Sequence, residues 1–198
     1  MYYIFEAEIS GENELMQAEI LGEMPNFLSI KKDWTWWSDA PLPVPFPNTT
    51  FSIDENIYQD AYCTGSIFDL HSEKLATLIQ ASGTRCEYFP VKMVSRKSDK
   101  YIASNYFAFH LMETYSVIDY TKSTLIEESF FGKKIVALEL FRDILSRQNP
   151  LFRDKERPRL VFVHEALKKK FDMAGIKGCK FTHYKDFRDI TLSDIGVS

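Results

Sequence analysis

Tyr2 to Ile9 alternates apolar and polar positions and is rich in β-formers, which predicts an opening strand that stops at the polar turn Gly11-Glu12-Asn13-Glu14. From residue 26 to 47 the periodicity disappears. Trp34, Trp36 and Trp37 lead into PLPVPFP, where Pro41, Pro43, Pro45 and Pro47 impose an extended path and Leu42, Val44 and Phe46 supply apolar side chains to lie on a core. A crossing segment fits this pattern better than a flexible linker, which would be polar and rich in glycine and serine.

A helical period begins at Ser72, a natural N-cap, places Leu75, Leu78 and Ile79 on one face and ends at Gly83, so a helix is expected over about 73–82. Two β-rich runs follow, Cys86 to Val94 and Tyr101 to His110, joined by the loop SRKSDK. Pro90 removes one ladder donor, which assigns its position to an edge or a bulge. A polar break at Thr121 to Glu128 precedes another apolar run, Lys134 to Phe141, read as a strand. The last unit is a strand at Arg159 to Val163, a helix at Glu165 to Ala174 with Leu167, Phe171 and Ala174 inward, a stop at Gly175 and a strand at Lys180 to Tyr184. These elements predict an α+β fold of mostly antiparallel strands packed with two or more short helices around a single layered core. The 198 residues are taken as one domain.

Composition adds three constraints. A 45% hydrophobic and 26% charged chain with 16 Phe and 10 Tyr is that of a folded globular protein rather than a disordered one. No stretch approaches the roughly 18 apolar residues of a membrane span, and Glu6 and Glu8 stand where a signal peptide needs cations, so a cytoplasmic location is expected. The net charge of −4 is uneven: residues 1–60 carry −9 and the remainder +5. That asymmetry disfavours a nucleic-acid partner and suits a basic protein partner, although charges close in sequence need not share a face.

Candidate chemistry is sparse. Cys63, Cys86 and Cys179 form no CxxC pair, and His71, His110, His164 and His183 show no metal-ligand spacing, so neither a disulfide framework nor a metal site is expected. No phosphate-binding glycine loop or nucleophile elbow is present, and no cofactor is expected. A cysteine or serine beside a histidine, hidden until the chain folds, would make a small hydrolase, with Asp119 and Ser123 as the candidates; residues of this kind more commonly bond nearby backbone. Trp34, Trp36 and Trp37 read as core packing, the commoner use of such a cluster, or as a binding hot spot.

From Phe51 to about Tyr184 the chain resembles a bacterial immunity-protein family of polymorphic toxin systems, first described from a myxobacterium. LHSEKLATLI from Leu70, YFPVKM from Tyr88, YSVIDYTKS with Asp119 and Ser123, VFVHEALKKKF, and GIKGCKF from Gly175 carry the likeness. His164 stands where such proteins tend to carry a serine or threonine cap, and the first third of the chain is individual to this sequence. The resemblance implies inhibition by binding: an immunity protein docks on a cognate toxin and needs no catalytic residue. Joined to the residue-level reading, it makes Trp34, Trp36, Trp37, Glu12, Glu14, Glu19 and Glu23 the candidate partner-binding residues and a basic toxin the expected partner, with the hydrolase as the alternative.

Overall fold

The computed structural model describes residues 1–8, 18–21, 38–42, 46–54, 58–64, 68–128 and 132–189. The opening strand is β1 (Tyr2–Ala7), which ends before Glu8; Ile9, the last residue of the expected strand, lies outside the described residues. Short strands β2 (Glu19–Leu21), β3 (Thr50–Ile53), β4 (Ala61–Cys63) and β5 (Asp69–Ser72) lead to helix α1 (Glu73–Gln80). The long hairpin β6 (Cys86–Ser95) and β7 (Tyr101–Leu111) follows, turning through Asp99 at φ +54°. Then come β8 (Thr114–Tyr115), the hairpin β9 (Thr124–Glu128) and β10 (Gly132–Ala137), and the short helix α2 (Arg142–Ser146). Finally, β11 (Leu151–Asp154) and β12 (Val161–His164) enter helix α3 (Glu165–Ala174), and β13 (Cys179–His183) is the last described strand.

Local chemistry explains the boundaries that the sequence marks. Ser72 Oγ accepts the Leu75 N–H at 3.3 Å and so caps α1. At α3 the cap is His164, whose Nδ1 accepts the Ala166 N–H at 3.2 Å and performs the task of the serine or threonine it replaces. Gly175 ends that helix in the left-handed region at φ +62°. The polar stretch from Thr121, expected to be a break, is a turn only to Ser123; beyond it Thr124–Glu128 pairs with β10 as a strand, because its partner supplies the ladder that its own composition does not announce.

The strands form a five-stranded sheet, β13-β1-β12-β11-β8, a six-stranded sheet, β2-β3-β6-β7-β5-β4, and the separate β9–β10 pair. Pairing is antiparallel except between β3 and β6 and between β8 and β11. Pro90 pairs with Phe107 of β7, while β3 reaches only Lys92 to Ser95, so among the described residues the proline sits on a stretch of β6 with one strand neighbour, next to bulges at Val91 to Val94.

Alternation along each strand divides the interior into three apolar clusters. On β1, Tyr2 and Ile4 face one way with Phe152, Phe162 and Ile135, while Phe5 and Ala7 face the other with Leu151 and Val163. That second face shares its cluster with Phe109 and Leu111 of the six-stranded sheet and with Leu75, Ile79, Leu167 and Phe171 of α1 and α3. The remaining face of the six-stranded sheet buries Phe51, Leu70, Met93 and Tyr106 in a third cluster. A middle layer built by both sheets and two helices thus joins the halves of the chain.

Candidate partner-binding surface

Of the residues that the sequence singles out for partner binding, Trp34, Trp36, Trp37, Glu12, Glu14 and Glu23 lie outside the described residues. Glu19 is described: it is exposed on β2, the outermost strand of the six-stranded sheet, with its Oε1 3.6 Å from Arg96. Such an exposed pair contributes little to stability.

The residues just after the tryptophans are held by backbone contacts. Glu87 and His110 stand directly opposite each other on β6 and β7. Glu87 Oε2 accepts the Leu42 N–H at 2.9 Å and lies 3.0 Å from His110 Nδ1, while His110 Nε2 lies 3.1 Å from the Ser38 carbonyl. Arg85 reaches the carbonyls of Asp39 at 3.5 Å and Met112 at 3.3 Å, and its Nε is 3.3 Å from Glu113. Further on, Phe46 stacks on Phe89 with ring centroids 5.1 Å apart and meets Phe68 edge-on. The expectation that the proline-rich segment lies against the core is met at Leu42 and Phe46, both packed on the third cluster.

Asp119 and Ser123, the candidates for hidden catalysis, bond to nearby backbone and side chains. Asp119, buried, accepts the Thr121 N–H at 3.2 Å, the Thr121 hydroxyl at 2.6 Å and a charge-assisted bond from Lys122. Ser123 Oγ accepts the Glu139 N–H at 2.9 Å and donates to the Glu139 carbonyl at 3.3 Å. Both therefore fix the turn between Ile118, which forms an isolated antiparallel bridge with Leu140, and β9, the backbone role such residues commonly take. Burial, with Glu113 and Glu87 nearby, pushes the Cys86 thiol up to about 12, and burial also raises Cys179, so both stay protonated, the weakly nucleophilic form. Among the described residues no group of three or more His, Cys, Asp and Glu is arranged to hold a metal ion.

The histidines are likewise committed. His71 is fully buried, stacks on Phe109 at 4.2 Å and lies 3.1 Å from the Tyr88 hydroxyl; burial pulls it down to about 3. Asp69, half-buried on the same strand, is pushed up to about 6 by desolvation, against the pull of Arg153 and Arg159. Arg153 itself is buried on β11 and lowered to about 10 by desolvation, with Asp69 opposing the shift.

Sequence reasoning missed the Glu87–His110 pair and the buried Asp60, because each acquires its role from chain far away. The sequence shows the hairpin but not its register: two shifts between Val91 and Val94 move the pairing by two residues and bring Glu87 opposite His110.

Residues 57–186, about two thirds of the chain, match the model of the Immunity protein family (Imm11). This is the kind of family that the sequence motifs resemble, over nearly the same span. No curated protein matches the chain.

Proposed function

We propose that this chain, which belongs to the Immunity protein family (Imm11), binds a cognate bacterial toxin and neutralises it by protein–protein inhibition. The family membership is the observation that carries the reading. The fate of the chemical candidates agrees with it: Asp119 and Ser123 are spent on backbone, and the thiols of Cys86 and Cys179 are held protonated. A binding protein needs none of these groups to react.

The proposed contact lies on the acidic first third, with Trp34, Trp36 and Trp37 as apolar anchors and Glu12, Glu14, Glu19 and Glu23 steering a basic toxin. The fixing of residues 38–42 by Glu87, His110 and Arg85 supports this, since an anchor binds more tightly when the chain beside it is already ordered. Such a complex acts in the cytoplasm of the producing cell, where no cofactor is required. No helix among the described residues is long and apolar enough to cross a membrane.

The test is co-expression with the toxin domain encoded beside it. The expected outcome is a stable heterodimer, restored growth and loss of the toxin's activity at equimolar ratio. Persistent toxicity at saturating immunity protein, with no complex by calorimetry, would sink the reading.

A further inference from the structure

We propose that the outer edge of β9 is a second docking site for the toxin, which adds an extended segment there as a third strand beside β9 and β10. The occupant rests on the toxin-binding reading; the open edge itself does not. Ile135 of β10 meets Asp189 on its free side: its N–H donates to Asp189 Oδ2 at 2.6 Å, and its carbonyl accepts the Asp189 N–H at 3.0 Å. Ile135 therefore turns both backbone groups away from β9. In an antiparallel ladder, directly opposed residues either exchange both bonds or point both outward, and the two kinds of pair alternate. Leu125, opposite Ile135, and Glu127, opposite Lys133, accordingly direct their N–H and C=O groups away from β10. Among the described residues no backbone hydrogen bond meets these four groups, and no further strand joins the pair.

Leu125 packs against the first cluster, which also buries Ile135, so one face of the hairpin is held on the body of the protein. On the other face Ile126 is 53% exposed, and the strand contains no proline, glycine or lysine. Open edges are ordinarily blunted by such residues, by bulges or by cover. Here the bulge lies on β10, between Ile135 and Ala137, and the cover is also on the β10 side, where Asp189 is fixed 2.9 Å from Arg157. A two-stranded sheet is marginal by itself and gains from a third strand.

The four open groups repeat at every second residue, a spacing that an extended backbone matches and a helix does not. Opposed side chains share a face, so the segment carries an apolar residue across from Ile126. The toxin is the occupant because it is the partner that membership of the immunity family implies.

The test uses the full chain and the toxin domain encoded beside it. Amide exchange at Leu125 and Glu127 should be fast in the free chain and slowed about 100-fold or more in the complex. Ile126→Ser and Glu127→Pro should each raise Kd about tenfold or more, by removing an apolar contact and a ladder donor respectively. Proline at 127 deletes an N–H that points away from β10, so the existing ladder stays whole. Ile126→Ser changes only an exposed side chain and decides even where the proline variant does not fold.

A complex in which Leu125 and Glu127 still exchange fast, and which Ile126→Ser does not weaken, would overturn the site and leave toxin neutralisation standing. Protection that appears in the free chain as its concentration rises would assign the edge to a second copy and overturn it likewise. Absence of any complex would remove the toxin-binding reading, and this site with it.

Discussion

Asp60 Oδ2 accepts the backbone N–H of Lys177 at 2.9 Å, across 117 residues of sequence. The same carboxylate accepts the Ser72 hydroxyl through Oδ1 at 2.6 Å and lies 3.9 Å from Lys74. Asp60 N–H in turn donates to the Lys177 carbonyl at 2.9 Å. One buried residue thus ties the six-stranded sheet, the cap of α1 and the turn before β13.

Asp60→Ala should therefore cost about 3 kcal/mol or more, because charge-assisted bonds are lost and their buried donors go unpaired. Asp60→Asn should cost less, since an amide oxygen can still serve one donor. Urea denaturation of the full chain measures both, and a shared middle layer predicts a single transition in each. A loss below about 1 kcal/mol in Asp60→Ala would remove the cross-link from the account.

Gly178 and Gly83 separate steric from conformational demand. Both have positive φ, +76° and +83°, but a Cβ on Gly178 would sit 2.5 Å from the Ala61 carbonyl oxygen, whereas nothing lies within 4 Å at Gly83. Gly83→Ala should cost about 1 kcal/mol for backbone strain alone, and Gly178→Ala clearly more, on the order of 3 kcal/mol, because β4 and the turn before β13 must move apart. Equal melting temperatures for the two variants would contradict this.

His71 predicts an acid dependence. Its folded pKa lies near 3, below the ordinary 6.5, so the unfolded chain binds the proton first and the stability contribution, complete above 6.5, is lost progressively as pH falls toward 3. Between pH 7.5 and 5 this group should cost the wild type about 2 kcal/mol. His71→Phe, stacked on Phe109, should lose that part of the slope whatever its absolute stability. An unchanged difference between the two pH values would show that His71 is not the group responsible.

Cysteine chemistry offers a quick check. With Cys86 pushed up to about 12 and Cys179 also raised, both should alkylate at pH 8 at least about tenfold more slowly than a free thiol, and at ordinary rates in urea. Rapid native modification of Cys86, located by mass spectrometry, would reopen the nucleophile question.

The proposed interface has its own test. Trp36→Ala and Trp37→Ala should keep the melting temperature and weaken toxin binding by about 2 kcal/mol or more each. Reversal of Glu12, Glu14 and Glu23 should slow association in a salt-sensitive way, with a smaller effect from Glu19, whose charge is shared with Arg96. A stability loss of about 3 to 5 kcal/mol in the tryptophan variants would instead identify core indoles.

Elements that carry their own periodicity and caps were legible from the sequence. Ser72 and the Leu75–Ile79 face specify α1, the helix from Glu165 ends at the left-handed Gly175, and the β6–β7 hairpin follows from two β-rich runs around a polar loop. The family also followed, because its motifs are these same local signals. What stayed hidden was set by tertiary partners. The strand β11 is buried throughout although two of its four residues are charged: Asp154 accepts the backbone N–H groups of Val117, Glu156 and Arg157, and Arg153 is coupled to Asp69. The short strands β2 to β5 lack the length for a period to register and exist because neighbours complete their ladders. The contacts of Glu87 and His110 with residues 38–42, and those of Asp60 with Lys177, join residues 45 to 117 positions apart. A sequence written in one dimension announces its local propensities, but which buried acceptor meets which distant N–H is decided only when the sheets pack.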